Sequence, residues 1–262
     1  MSHCLPFLLY DGPPTNDFAL RVKVSIVIPA YNEEKLLPET LRRVQAACAA
    51  FDARGWEREM IVCDNNSTDG TTAVARAAGV SVVFEPINQI SRARNTGAAA
   101  ATGDWLIFVD ADSFPSKELF DDVANEIIGG LTLAGGCLLK FDKNRRLAIL
   151  FVPVWNLFSR GIRWMAGSFI FCETTAFRQI GGFSLELFIS EELDLSRRLK
   201  TLARRMNRRI VILHKHPLVT SSRKLELYGV GDYLSLFWKV IAHRGRSLKD
   251  PKACYIWYDG RR

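Results

Sequence analysis

The feature that constrains this chain most is a run of five apolar residues that ends abruptly in two carboxylates. Residues 105–113 read WLIFVDADS, so Asp110 and Asp112 follow the apolar run directly. The run is too short for a typical helix and predicts a strand that is buried on both faces of a parallel sheet. Open α/β sheets bind ligands at the carboxyl ends of their strands. Although an Asp-x-Asp triplet also occurs by chance, two carboxylates at this place would suit Mg²⁺ or Mn²⁺.

Three earlier apolar segments predict that this strand is the fourth of a mainly parallel sheet. They are residues 22–28, 60–63 and 80–84, and a segment of helical character follows each of them. Strands that alternate with helices predict right-handed crossovers, which place helices on both faces of the sheet. The sequence therefore predicts an α/β fold, and its 262 residues fit one large domain.

Polar side chains follow the predicted strands at the points where the strands end. Asn32 and Glu33 come after the first strand, and Asp64 and Asn65 come after the second. Because the carboxyl ends of parallel strands meet at one edge of a sheet, we expect these side chains to converge with the Asp-x-Asp pair on one crevice. No Gly-x-Gly-x-x-Gly follows the first strand, which disfavours a dinucleotide-binding dehydrogenase. The absence of Gly-x₄-Gly-Lys-Ser/Thr excludes the P-loop ATPases and GTPases.

The amino-acid composition limits the classes of binding partner and the cellular compartment that the protein can have. The formal net charge of +7 suits an anionic ligand, a nucleic acid or an anionic membrane surface. Nucleic acid is disfavoured because the sequence carries no aromatic and basic recognition motif. The six cysteines lie far apart without a Cys-x-x-Cys pair, which indicates a reducing cytoplasm rather than a zinc site or a disulfide scaffold. No segment reaches the ~20 consecutive apolar residues of a membrane span.

A helix predicted over residues 191–206 supplies further carboxylates. Ser190 stands at the N-cap position, and Glu191 and Glu192 open the helix. At ~100° per residue the two glutamates flank the apolar face on opposite sides, so periodicity nominates both as a general base and does not choose between them. The alternative is an acidic first turn favoured by the helix dipole. The apolar face itself is defined by Leu195, Leu199 and Leu202.

Residues 147–171 are apolar and rich in Trp and Phe. Core is the default interpretation of such a run. A lid, a pocket for a lipid-like acceptor and a membrane contact are the alternatives that the sequence leaves open.

Five segments in this order resemble family 2 glycosyltransferases of the GT-A fold. They read VSIVIPAYNEE, VCDNNSTDGT, SRARNTGAAAATGDWLIFVDADS, GGF and SEELDLSRRL. The resemblance extends over residues 24–202, most of the chain. It implies a GT-A type Rossmann-like sandwich, a nucleotide diphosphate sugar as donor, and Mn²⁺ or Mg²⁺ as cofactor.

The resemblance assigns a donor site. It implies that Asp112 is a metal ligand, with Asp110 helping it directly or through water and ribose contacts, and that Arg94 clamps the diphosphate. Asp64 matches the acidic residue that accepts a hydrogen bond from the base. The usual Asp-Asp pair of the family is Asp64-Asn65 here. This departure leaves the identity of the nucleotide base open, although UDP is favoured over GDP. The other positions that match the nucleotide pocket are Pro29, Ala30, Tyr31, Glu33 and Ala111.

The resemblance also chooses between the two glutamates. The Glu-Asp motif of the family places the general base at its second position, which is Glu192, with Glu191 beside it in the catalytic pair. Asp is usual at that second position, so Glu lengthens the reach by one methylene. A positioned base and the majority of the family imply an inverting displacement, although retaining relatives exist.

Three basic residues lie beyond a last predicted strand at residues 210–213. His216 is similar in position to a histidine that supplies a third metal ligand in some GT-A enzymes. Arg223 and Lys224 are candidates to close over the diphosphate as a loop.

Two other functions compete with this interpretation. A sugar-phosphate nucleotidyltransferase would share the sheet and the metal carboxylates, but it expects a Gly-rich activating loop that residues 29–34 do not match. A non-catalytic nucleotide-sugar-binding module would retain Asp64 and Asp112 while tolerating the loss of Glu192.

The sequence leaves the acceptor unknown, with a lipid-linked molecule or a polysaccharide as the expected classes. Residues 147–164 and nearby arginines would allow a peripheral membrane contact that brings the chain to a lipid-linked acceptor. We therefore expect a cytoplasmic protein that can work at the inner face of the membrane.

The predicted organisation is a single domain in two halves. Residues 22–115 form the nucleotide-sugar-binding half, and residues 116–225 form the acceptor-binding and catalytic half. Residues 1–21 are interpreted as a leader that need not be ordered, and residues 226–262 as a C-terminal helical tail.

Overall fold

A computed structural model describes residues 21–143, 156–157, 159–223, 227 and 250 of the chain. These residues form one eight-stranded sheet with helices packed on both faces. The strands are β1 Lys23–Ala30, β2 Glu57–Asp64, β3 Ser81–Phe84, β4 Trp105–Val109, β5 Ser113–Phe114, β6 Thr132–Phe141, β7 Phe169–Glu173 and β8 Arg209–Thr220. The helices are α1 Leu37–Ala47, α2 Ala49–Asp52, α3 Thr71–Ala77, α4 Ile90–Ala100, α5 Lys117–Ile128, α6 Thr174–Gln179 and α7 Glu191–Arg205.

The order of strands across the sheet is β3-β2-β1-β4-β7-β6-β8-β5. The first four strands in this order, β3, β2, β1 and β4, are parallel to one another, and β6 and β8 form another parallel pair. Strand β7 runs antiparallel between β4 and β6, and the short β5 is antiparallel to β8. The predicted α/β fold with a mainly parallel sheet is confirmed.

The sheet separates two apolar layers because its central strands are buried on both faces. In β1, the side chains of Val24, Ile26 and Ile28 pack in the layer that holds α1, α2 and α5. Val27, which points to the other face, packs in the layer that holds α4, α6 and α7. Residues of a strand alternate between faces, so a strand covered on both sides reads as a continuous apolar run.

The four strands predicted in the first half of the chain are present. Strand β4 has the predicted limits, whereas β2 begins three residues earlier than predicted, at Glu57. The predicted strand at residues 210–213 is the beginning of the longer β8. Both extensions contain polar and charged residues, which apolar patterning alone does not assign to a strand.

The apolar segment at residues 147–171 is described only in part. Residues 147–155 and 158 lie outside the described residues, while Phe169 and Phe171 are fully buried in β7. The core interpretation is therefore right for the end of the segment. Residues 1–20 of the leader and nearly all of the tail at residues 226–262 also lie outside the described part, and the division into two halves stays a prediction.

The described cysteines behave as small apolar residues. Cys48, Cys63, Cys137 and Cys172 are all buried, and none of them forms a disulfide with another described residue. Burial raises the pKa of the Cys137 thiol to about 12. None of the helices in the described ranges has the length and apolar character needed to cross a membrane.

Gly135 is required where three strands approach closely. It lies on β6 opposite Phe171 of β7 and Val211 of β8. A methyl group at this position would come within 2.5 Å of the Phe171 ring and 2.7 Å of the Val211 carbonyl oxygen. The Val211 carbonyl is backbone and cannot turn away, so the strands would have to separate.

We expect Gly135→Ala to lower the free energy of unfolding by about 1–3 kcal/mol, the usual cost of overpacking a core. Thermal unfolding followed by circular dichroism measures this change. Gly161→Ala is the matched control, since a methyl group there would meet nothing within 4 Å. Equal melting temperatures for the two variants would contradict the close approach at Gly135.

Candidate active site

The carboxyl ends of β1, β2 and β4 bring three buried carboxylates to one edge of the sheet. Glu33, Asp64 and Asp112 are 5%, 5% and 7% exposed, respectively. The register of β1 and β2 places Ala30 opposite Asp64, so the two loops leave the sheet side by side. The convergence predicted from the ends of the strands is therefore present in the structure.

Hydrogen bonds join the loop after β1 to the loop after β2. The Asn32 amide N–H donates to Ser67 Oγ at 3.0 Å, and the Glu33 N–H donates to Thr71 Oγ1 at 2.7 Å. Asp64 accepts from the Ser67 N–H at 3.1 Å and from the Thr72 hydroxyl at 2.6 Å. This carboxylate is thus held in a fixed orientation at the edge of the cleft.

Asn65, which departs from the usual Asp of the family, has a structural function. Its Nδ2 donates to the carbonyl oxygens of Glu85 and Ile87, at 3.2 and 2.7 Å. Its Oδ1 accepts from the Gln89 N–H at 2.9 Å, directly before α4. Because an aspartate cannot donate to two carbonyls, an amide is required here.

The other positions predicted to line the nucleotide pocket lie at the carboxyl ends of β1 and β4 or directly after them. Pro29 and Ala30 end β1, Tyr31 follows them, and Ala111 stands between the two aspartates. Ala30 and Ala111 are 2% and 3% exposed and pack in the core. Only their backbone would be available to a nucleotide, and their contact with one stays a prediction.

Arg94 is a fully buried cation that joins both sides of the cleft. Its side chain is 1% exposed, and Nη1 donates to Glu191 Oε1 at 2.7 Å. Its Nη2 donates to Asp110 Oδ1 and to the Gly167 carbonyl oxygen, both at 2.9 Å. Burial alone would lower the pKa of Arg94, but the carboxylates of Asp110 and Glu191 outweigh burial and raise the pKa.

The Gly-Gly-Phe turn holds an aromatic ring against Arg94. Gly181 and Gly182 have φ angles of +77° and +69°, which glycine adopts without strain. Asn95 fixes the turn, because its side chain donates to and accepts from the Phe183 backbone at 2.9 Å. The Phe183 ring then lies 5.1 Å from the Arg94 guanidinium carbon, as in a cation–π contact.

Glu191 and Glu192 begin α7 at the edge of the cleft. Ser190 occupies the predicted N-cap position, but its φ angle is +64° and its side chain makes no capping hydrogen bond. Glu191 is 4% exposed and is held by Arg94. Burial, followed by the adjacent Glu191 charge, raises the pKa of Glu192 to about 8. Burial also raises the pKa of Glu191, while Arg94 opposes the increase.

One cavity of about 380 Å³ contains most of the predicted catalytic side chains. Its polar wall is formed by Arg94, Asp110, Asp112, Glu191 and Glu192. Its apolar wall, formed by Leu139, Phe141, Phe188 and Ile189, was not predicted. Sequence patterning gives no signal for that wall, because it combines residues from β6 and from the loop before α7.

The two aspartates suit a hard divalent cation, since carboxylate oxygens are the ligands that Mg²⁺ and Mn²⁺ prefer. Each already faces an arginine: Asp110 is paired with Arg94, and Asp112 Oδ2 lies 3.8 Å from Arg223 Nη2. In the described ranges, no group of three or more His, Cys, Asp or Glu side chains could enclose a metal ion. Asp110 and Asp112 would therefore share the ion with phosphate oxygens or water.

The structure places His216 away from the aspartates that it was predicted to join, and its function as a third metal ligand stays a prediction. His216 lies within β8, where its Nδ1 is 2.9 Å from Asp122 Oδ2 of α5. The ring therefore faces α5, and His216 does not line the cavity that holds the two aspartates. The apolar pattern ended the predicted strand at residue 213, whereas β8 continues to Thr220.

Comparison with known proteins identifies the family. The family model for Glycosyl transferase family 2 matches residues 25–178, more than half of the chain. The chain belongs to glycosyl transferase family 2. The resemblance drawn from the five sequence segments is confirmed.

Curated relatives of this family 2 chain are similar over part of their length. The undecaprenyl-phosphate 4-deoxy-4-formamido-L-arabinose transferase of Klebsiella pneumoniae is 41% identical over 97 residues, which are 34% of this chain and 29% of that protein. An uncharacterized glycosyltransferase of Mycobacterium bovis is 38% identical over 113 residues, 43% of this chain and 47% of that protein. The match thus spans less than a third of the first relative and about half of the second.

Solved structures of similar fold cover most of the chain. A mannosyltransferase from Pyrobaculum calidifontis, solved with GDP-Man and Mn²⁺, has a TM-score of 0.62 and 19% identity, over 92% of this chain and 74% of that chain. S. aureus TarS with UDP-GlcNAc has a TM-score of 0.60 and 20% identity, over 90% and 71% of the two chains. The likeness shows the fold of this family 2 chain, which is that of the GT-A glycosyltransferases.

The raised pKa of Glu192 predicts a stability that falls as pH rises. Between the usual value of 4.5 and about 8, the unfolded chain loses this proton while the native state keeps it. The native state is therefore destabilised across this window. We expect Glu192→Gln to be more stable than the wild type at pH 8 by about 4 kcal/mol, and to have no such advantage at pH 4.5.

Melting temperatures of both proteins from pH 4.5 to 9 measure this difference. Glu57→Gln is the control, because Glu57 is exposed at the start of β2, and its curve should run parallel to the wild-type curve. A constant difference between Glu192→Gln and the wild type at every pH would show that Glu192 does not retain its proton.

Proposed function

We propose that this protein transfers a sugar from a nucleotide diphosphate sugar to an acceptor hydroxyl, with a divalent cation and with inversion at the anomeric carbon. The observation that carries this proposal is the joint arrangement of two carboxylate pairs in one cavity. Asp110 and Asp112 line it together with Glu191 and Glu192, and Arg94 connects Asp110 to Glu191. Membership of glycosyl transferase family 2 supports the reaction class.

The donor side would hold the diphosphate. Asp110 and Asp112 would bind Mn²⁺ or Mg²⁺, whose positive charge neutralises the departing nucleoside diphosphate. Arg94 holds Asp110 in place through its hydrogen bond, and the predicted clamp of Arg94 on the diphosphate is part of this proposal. We favour a uridine nucleotide, because TarS and a Mycobacterium tuberculosis glucosyl-3-phosphoglycerate synthase of the same fold were solved with UDP or a UDP-sugar.

Glu192 would act as the general base that takes the proton of the acceptor hydroxyl. Its pKa of about 8 makes the ionised form of Glu192 a stronger base than an ordinary carboxylate. Because Glu192 mostly keeps its proton at neutral pH, the rate of transfer should rise as the pH approaches 8. Glu191 is bound by Arg94 and therefore positions the pair rather than accepting the proton. One positioned base suffices for direct displacement, which supports inversion.

We propose a lipid-linked acceptor in preference to a polysaccharide. The apolar wall of the cavity, formed by Leu139, Phe141, Phe188 and Ile189, would suit the first units of a lipid chain. The name of the Klebsiella relative specifies undecaprenyl-phosphate, which supports a lipid-linked acceptor. An acceptor of that kind would attack through a phosphate oxygen in place of a hydroxyl, and its transfer would depend less on Glu192.

We expect Glu192→Gln to lower the rate of sugar transfer by about a hundredfold or more, the usual contribution of a general base. The same variant should still be stabilised against heat by a UDP-sugar with Mn²⁺, because the donor side is intact and ligands stabilise the state that binds them. Transfer assays and a thermal-shift screen of UDP-, GDP- and dTDP-sugars measure the two effects.

Asp194→Asn is the matched control on the same helix, since Asp194 pairs with Arg197 and Arg198 outside the cavity. It should retain transfer within a few fold. Full activity of Glu192→Gln would exclude Glu192 as the base, whereas donor binding by the wild type without any transfer would favour a nucleotide-sugar-binding module. The absence of a thermal shift with any nucleotide sugar would contradict the proposed donor class.

A basic surface supports a peripheral contact with the membrane. Two adjoining cavities share Arg163 and Arg209 and define this surface. Burial and the neighbouring charges of Arg204 and Arg163 lower the pKa of Lys200, which indicates concentrated positive charge. Exposed Leu157 and Ile162 lie along the same segment of chain as Arg160 and Arg163. The cations that line the surface include Arg160, Arg163, Lys200, Arg204, Arg209 and Lys215.

We propose that this basic surface binds anionic phospholipid at the inner face of the membrane, with the protein in the cytoplasm. Arg160, Arg163 and Arg204 have no carboxylate partner within the described ranges, so their charges remain available. Residues 159–167 connect the surface to the cavity, because Lys200 donates to the Ile162 carbonyl and Arg94 donates to the Gly167 carbonyl. A lipid-linked acceptor would thus meet the active site close to the bilayer.

We expect the protein to sediment with phosphatidylglycerol vesicles at low salt and not with phosphatidylcholine vesicles. The double variant Arg163→Gln/Arg204→Gln should bind about 30-fold more weakly, since each charge near an anionic surface contributes about fivefold. The matched control, Arg42→Gln/Arg76→Gln, removes two exposed charges on α1 and α3, which do not line the basic surface, and should bind like the wild type.

Equal losses in the two double variants would show non-specific attraction by the net charge and would overturn the assignment. Binding of inorganic polyphosphate without binding of vesicles would assign the surface to a soluble polyanion instead. Both measurements are made without donor, so their outcome does not depend on the proposed reaction.

A further inference from the structure

Arg223 lies where the donor site needs positive charge, although it comes from the far end of the described chain. Its Nη2 donates to Glu33 Oε1 and Oε2, at 2.7 and 2.8 Å, across 190 residues of sequence. The same nitrogen lies 3.8 Å from Asp112 Oδ2. Arg223 thus connects the loop after β1 with the metal-ligand aspartate after β4.

The backbone around Arg223 fixes this position. The Ser221 N–H donates to the Asp112 carbonyl oxygen, and the Ser222 N–H donates to Asp142 Oδ1, both at 2.9 Å. The Arg223 N–H donates to Ser221 Oγ at 3.2 Å. The segment after β8 is therefore attached to the loop that carries Asp112, and the guanidinium reaches Glu33 from there.

Two of the donors of Arg223 are unused. Its side chain is 16% exposed, while the side chains of Glu33 and Asp112 are 7% and 9% exposed. Its Nε and Nη1 are buried and have no hydrogen-bond partner among the described residues. Buried donors without acceptors are unfavourable, and the planar fork of a guanidinium suits phosphate oxygens.

We propose that Arg223 occupies the place of the divalent cation before the donor binds, and that its unused donors then bind the diphosphate. The side chain would therefore oppose the binding of a cation alone, by repulsion and by engaging Glu33 and Asp112. It would favour the binding of a nucleoside diphosphate, whose negative charges suit both the arginine and the cation. This inference rests on the proposed function, because it takes the cleft as a donor site.

The variant Arg223→Gln should change the two affinities in opposite directions. In the absence of nucleotide, it should bind Mn²⁺ about tenfold more tightly, because a positive charge near Asp112 is removed. It should bind UDP about tenfold more weakly, because a charge-assisted contact is lost. Electron paramagnetic resonance of free Mn²⁺ measures the first affinity, and titration calorimetry of UDP with Mg²⁺ measures the second.

A merely structural function of Arg223 would weaken both affinities together, so weaker or unchanged Mn²⁺ binding by Arg223→Gln overturns the proposal. Unchanged UDP binding overturns it as well. Arg54→Gln is the matched control, because it breaks an ion pair with Asp121 on α5 and should lower the melting temperature without changing either affinity.

Arg223→Lys keeps the test valid if the glutamine variant fails to fold. It retains the charge, so Mn²⁺ binding should stay at the wild-type level, while UDP binding weakens because the fork is lost. A lysine variant with tighter Mn²⁺ binding, or with wild-type UDP binding, contradicts the proposal. If the wild type itself does not bind UDP, the proposed function fails; if it does, and Arg223→Gln behaves like the wild type, only this inference fails.

Discussion

The buried guanidinium of Arg94 is the interaction on which the cleft depends. A cation removed from water is stable only when carboxylates and carbonyl oxygens surround it, and Asp110, Glu191 and Gly167 satisfy this requirement. These partners come from β4, from the start of α7 and from the segment before β7. Each can move only if the buried charge loses a partner, so the two sides of the cleft are fixed relative to one another. Phe183 covers the guanidinium and completes its surroundings.

The cleft contains more acidic than basic side chains, and this imbalance bears on both the glutamate pair and the proposed cation site. The cavity and its edge hold three more carboxyl groups than guanidinium groups, which is unfavourable at low dielectric. One proton retained by the glutamate pair and one divalent cation would balance this excess. Burial is the main cause of the high pKa of Glu192, and the neighbouring charge of Glu191 adds to it. Under the proposed function, the same excess of negative charge would draw a cation to the aspartates. The groups concerned are Glu33, Asp110, Asp112, Glu191 and Glu192, with Arg94 and Arg223.

The sequence predicts those parts of the fold that depend on local pattern. Strand β4, the aspartates that follow it and the two glutamates that open α7 are all marked by apolar runs that end in charge. The antiparallel β7, the apolar wall of the cavity and the pairing of Arg223 depend on contacts between distant segments, which no local pattern records. The predicted strand before His216 ended too early for the same reason, because hydrogen bonds to β6 and β5 extend β8 beyond its apolar start.

The amide of Asn65 has a consequence for the choice of nucleotide. Both ends of this side chain are used to join β2 to the start of α4, the helix that carries Arg94. Of the pair that closes β2, only Asp64 is left to meet a base under the proposed function. A single carboxylate can accept the ring N–H of either uracil or guanine, so Asp64 alone does not exclude one of the two bases. Selectivity between bases would therefore depend on other groups of the nucleotide pocket, and one scaffold could change its base without changing its catalytic residues.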